Sequence, residues 1–102
     1  MIFIDSNVIL RFILNDDLKF SPKAAKIFQK IEKENITVFL SQVILAEIVY
    51  VLLKVYKLKK VDIKEKLLGI IAPDTISIED KAILPFAFDV FVSKNVDFED
   101  AF

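Results

Sequence analysis

Met1-Ile2-Phe3-Ile4-Asp5-Ser6-Asn7 opens the chain. Four consecutive apolar residues run straight into a carboxylate. A short, unbroken apolar run predicts a strand buried on both faces, as strands of parallel sheets are. Ser6-Asn7 then turns the chain into Val8 to Leu14. Two further segments repeat the pattern: Ile36-Thr37-Val38-Phe39-Leu40 and Thr75-Ile76-Ser77-Ile78, each with β-branched residues suited to a pleated surface. Helical periodicity fills the intervals. Ala24, Ala25, Phe28 and Ile31 form one stripe, with Lys23, Lys26, Lys30 and Lys33 on the wet side. Ser21 at the N-cap and Pro22 at the first position predict where that helix begins, and Glu34-Asn35 ends it. Ser41 caps a long helix predicted from Gln42 to Lys57. Asp62 and Glu65 have capping-box spacing ahead of Ile63, Leu67, Ile70 and Ile71, and Pro73-Asp74 breaks that helix. A last helix is predicted from Ala82 to Lys94, with Pro85 in its first turn. Strand, helices, strand, helix pair, strand, helix is the order of an α/β domain with a parallel sheet. At 102 residues it is one domain, 1–102.

Composition narrows the chemistry. Apolar residues make up 55%, including ten Phe, so a packed core is available. The Phe residues are spaced as core residues, and no stacking platform for bases stands out. The net charge of −1 argues against a strongly basic nucleic-acid-binding module. Lys54, Lys57, Lys59 and Lys60 make the best local basic patch. The chain has no Cys and no His. That excludes Ser-His-Asp and Cys-His catalysis, zinc fingers, haem–His ligation and disulfide frameworks. Carboxylates, Lys, Tyr and hydroxyls remain, and hard oxygen ligands suit Mg²⁺ or Mn²⁺. Asp5, Asn7 and Arg11 interrupt the apolar start, so neither a signal segment nor a membrane span is expected. The expected setting is soluble and cytoplasmic, with no membrane partner.

Glu47 is the most informative single residue. It lies in Ser41-Gln42-Val43-Ile44-Leu45-Ala46-Glu47-Ile48-Val49-Tyr50-Val51-Leu52-Leu53-Lys54. Its helical neighbours three and four residues away are Val43, Ile44, Tyr50 and Val51, none of them charged. If buried, an unpaired carboxylate costs roughly several kcal/mol, and a partner from elsewhere in the fold is expected. Ligands gather beyond the carboxyl ends of parallel strands. Asp5 ends the first strand, Glu47 sits on the second turn after the second strand, and Asp100 falls in the first turn of a late helix. Three acids on one edge repel one another unless a divalent cation is bound. Each also has a plain structural reading. Asp5 suits a helix cap, Asp100 suits the third position after an Asp97 cap, and Glu47 can snorkel or pair with Lys54.

These residues resemble the motifs of PIN-domain ribonucleases. Met1 to Leu10 is similar to their opening strand, acid and Asn. Ser41 to Leu52 is similar to their second acidic motif, and Val96-Asp97-Phe98-Glu99-Asp100-Ala101-Phe102 to the third. The short build is closest to VapC-like toxins of toxin–antitoxin pairs. The resemblance implies a three-layer α/β/α domain on a parallel sheet and Mg²⁺- or Mn²⁺-dependent hydrolysis of single-stranded RNA. Asp5, Glu47 and Asp100 are then the catalytic, metal-holding acids, with Asn7 and Ser41 supporting them. A homodimer and an antitoxin partner are implied as well. The family continues past the third acid with a helix and a strand carrying a fourth acid. The resemblance therefore implies a C-terminally truncated member, lacking its last strands and weak or inactive alone. By the same resemblance the strand order begins three-two-one, which leaves the first strand as an open apolar edge. Two rivals stand beside this reading. One is a catalytically incomplete interaction module acting through dimerisation. The other is an Asp-nucleophile phosphotransferase, which usually needs a second Asp where Asn7 stands.

Overall fold

The computed structural model describes residues 2–15 and 18–94. Its centre is a sheet of three parallel strands, β1 (Ile2–Phe3), β2 (Val38–Phe39) and β3 (Ile76–Ser77), in the order β1-β2-β3. Ile2 pairs with Val38 and Phe3 with Phe39; Val38 pairs with Ile76 and Phe39 with Ser77. All three expected strands are present, but each is cut to two residues. Caps explain two of the cuts: Asp5 already caps one helix and Ser41 already caps another. Main-chain bonds from Ile4 N to Phe39 O (3.3 Å) and from Leu40 N to Ser77 O (2.9 Å) extend the ladders slightly. Among the described residues β1 pairs with β2 alone, so it forms an edge, and Phe3 is 72% exposed.

Helices occupy every crossover. α1 (Ser6–Leu14) and α2 (Phe20–Lys33) join β1 to β2. α3 (Gln42–Tyr50) and α4 (Lys60–Ile71) join β2 to β3. A 3₁₀ turn (Lys81–Ile83) leads from β3 to α5 (Leu84–Ser93), where Pro85 sits in the first turn as expected. The long helix expected from Gln42 to Lys57 is instead α-helical to Tyr50 and π-helical from Val51 to Val55. The Tyr56 N–H reaches the Val51 carbonyl (3.1 Å), five residues back. This wide turn keeps Leu52 fully buried while Val55 and Tyr56 emerge.

Two caps differ from expectation. α2 begins at Phe20, two residues early, so Ser21 lies buried inside the first turn and not at the cap. α4 begins at Lys60 with Lys59 at its cap and no side-chain cap bond, so the Asp62–Glu65 box does not close. Asp62 still falls in the first turn, where the helix dipole favours an acid.

The core lies where α3, α4 and α5 meet the sheet. Leu45, Ile48 and Leu52, Ile63 and Leu67, and Leu84, Phe88 and Phe91 are fully buried around Val38 and Leu40. Each such side chain contributes about 1.5–3 kcal/mol by leaving water. Phe88 and Phe91 meet edge to face, with centroids 6.4 Å apart. The expectation that the Phe residues are all core is corrected: Phe3, Phe12, Phe20 and Phe86 are exposed. Along α2 the expected stripe holds, with Ala24 and Ile31 buried and its four named lysines in water. No helix among the described residues is long and apolar enough to cross a membrane.

Candidate active site and adjoining cleft

The carboxyl edge of the sheet is built by three strand exits. At the first, Asp5 has extended backbone (φ −80°, ψ 146°) and caps α1. Its Oδ1 accepts from the Asn7 main-chain N–H (3.2 Å) and from the Ser6 hydroxyl (3.3 Å). Ser6 is buried while Asp5 and Asn7 are exposed. The plain reading of Asp5 as a cap is therefore realised, and the capped carboxylate also stands in solvent at a strand end. At the second exit, Ser41 Oγ accepts from the Ile44 N–H (3.1 Å) and fixes the start of α3. At the third, the Gln42 amide donates to the Glu79 carbonyl (2.9 Å), tying α3 to the loop after β3.

Glu47 requires a correction. It is exposed, not buried. α3 turns Leu45, Ile48 and Val49 inward, and the opposite side carries Val43 (78% exposed), Glu47 and Tyr50 (60%). A carboxylate in water carries no desolvation cost to be offset, so burial no longer argues for a metal. Glu47 rides a helix that starts at the exit of β2, beside the exit of β1 that carries Asp5, and α1 packs on α3. Asp100 lies outside the described residues. Among the described residues, no three acidic side chains form a group able to hold a metal ion. Asp5 and Glu47 are nonetheless hard oxygen donors of the kind that suits Mg²⁺ or Mn²⁺.

Two features escaped the sequence reading. Glu79 and Asp80 follow β3 directly, so that exit carries acids as well. Their position one and two residues after Ile78 was a usable signal. The second feature is a cavity of about 520 Å³ between α1 and α2, lined by Asn7, Val8, Arg11, Phe20, Lys23, Ala24 and Ile27. It starts at the residue whose N–H holds Asp5. Its cations lie on different helices, out of reach of any linear pattern.

The family model for the PIN domain matches residues 1–102. The chain belongs to the PIN domain family. PIN domains are in general nucleases and typically use divalent metal ions. No curated protein and no solved structure gives a significant match to the chain. For this PIN domain, the small parallel sheet amid helices is compatible with the family's α/β/α fold.

Proposed function

We propose that this PIN domain hydrolyses phosphodiester bonds of single-stranded RNA, with Mg²⁺ or Mn²⁺ held by Asp5, Glu47 and Asp100. The observation that carries the reading is Asp5: a solvent-facing carboxylate at the carboxyl end of a parallel strand, with one oxygen held by two donors. Those donors fix the carboxylate's orientation, which is what a ligand or a positioning group needs. Ser41 does the equivalent for Glu47 by anchoring the helix that carries it. When bound, the cation makes the attacking water more acidic and offsets charge on the leaving 3′-oxygen. A chain without His has no imidazole to move protons near neutral pH, so its acids serve as holders more readily than as bases. The short build resembles that of VapC-like toxins, which makes an antitoxin the proposed protein partner.

The test is cleavage of single-stranded RNA with Mn²⁺ present, with EDTA, and with the Asp5→Asn variant. Cleavage that requires the metal and Asp5 supports the reading; equal cleavage in EDTA overturns the mechanism. One observation favours the second reading, an interaction module acting through dimerisation: the exposed apolar side of α3. Metal titration separates the two, because the module binds no catalytic cation.

A further inference from the structure

Phe20 is the first residue of α2 and is half-exposed, at 51%. The ammonium groups of Lys19 and Lys23 each lie 5.5 Å from the centre of its ring. Cations placed this way draw on the negative face of the ring, and their flexible side chains bring positive charge to a flat apolar surface that a base could take over from them. The ring also lines the cleft between α1 and α2. Arg11 and Lys23 contribute charge there, and no acid is among the described lining residues. Arg11 is held against its wall, with Nη2 donating to the Tyr56 hydroxyl (3.3 Å). Asn7, whose main-chain N–H holds Asp5, also belongs to the lining. An aromatic face, nearby cations and a cavity of this size thus share a lining with the residue that holds the proposed catalytic acid. Among the described lining residues the charged ones are both cationic, in a chain whose net charge is −1.

We propose that the α1–α2 cleft is a nucleotide subsite. An unpaired base stacks on Phe20, and the adjoining phosphates lie against Lys23 and Arg11. The stretch of strand bound there lies next to the bond to be cut at Asp5. The proposal rests on the nuclease reading and extends it by assigning where the substrate strand is gripped. Stacking on an aromatic face needs an unpaired base and tolerates any sequence. The cleft therefore selects single strands over duplexes without reading bases. The same positive charge makes binding weaken with salt.

The experiment is fluorescence anisotropy with a short fluorescein-labelled oligouridylate. It is run in EDTA so that binding is read without cleavage, and the matching duplex serves as the control. Stacking of one base is worth about 1–3 kcal/mol, so Phe20→Ala and Phe20→Leu weaken binding by about fivefold or more. Phe20→Trp keeps the affinity, and Lys23→Glu weakens binding and flattens its salt dependence. Phe20 is half in water, and Phe20→Leu preserves its apolar bulk, so a loss in both variants is not a folding defect. Unchanged binding by Phe20→Ala overturns the proposal. So does no binding at all, equal affinity for the duplex, or equal competition by an acidic peptide, which marks a surface for acidic protein segments. Parallel cleavage assays in Mn²⁺ keep the two readings apart. Phe20-dependent binding without cleavage removes the nuclease reading and leaves the subsite. Cleavage with KM unchanged in Phe20→Ala does the reverse.

Discussion

At the scale of single residues, the site was legible by position and misleading by burial. Asp5 stands where the opening run places it, at the end of a strand. Glu47 was singled out for its apolar neighbours in sequence, yet two of them, Val43 and Tyr50, share its exposure. A sequence dense in aliphatic residues cannot say which side of a helix faces water, because every side looks buried. Asp5 has two roles that substitution can separate. Asn and Asp are comparable N-caps, while Ala loses about 1 kcal/mol of helix capping. Asp5→Asn should therefore leave stability within about 0.5 kcal/mol of the parent while abolishing cleavage. Asp5→Ala should lose both, and urea unfolding beside the RNA assay checks the pair. If Asp5→Asn cleaves normally, Asp5 is a cap alone.

At the scale of elements, the periodic parts were the legible ones. α2 and α4 each bury the expected faces, because charges alternate with apolar positions along them. The caps of the same helices differ from those the residue chemistry suggests: chain geometry starts α2 at Phe20 and α4 at Lys60, ahead of Ser21 and Asp62. α3 is the hard case. Through α3 and the π-helical turn after it, the inner set is Leu45, Ile48, Val49 and Leu52, and the outer set includes Val43, Tyr50 and Val55. Exposed apolar groups this close together favour a partner surface. We expect a homodimer through this outer side. Light scattering at micromolar concentration should give twice the chain mass, and Tyr50→Glu should return it to the monomer. A monomeric parent protein at that concentration removes the idea.

At the scale of the whole molecule, three parallel strands with helices in each crossover follow from the order of apolar runs and periodic stretches, and the strand order three-two-one holds among the described residues. The cleft between α1 and α2 did not follow, because a cavity depends on how two helices separate. The sheet itself has a consequence for the route by which the chain folds. Its strands contribute two paired residues each, and each pairing encloses a pair of helices. Closing such loops costs entropy before the few strand bonds can return it. The helix pairs α1–α2 and α4–α5 pack against each other over shorter stretches of chain, so they can form first and bring the strands together as a by-product. The sheet at the centre of the finished molecule is then the last thing to assemble. Pulsed hydrogen exchange during refolding reads this order directly: amide protection in α4 and α5 should precede protection at Val38 and Leu40. Simultaneous protection would mean that the strands nucleate the fold instead.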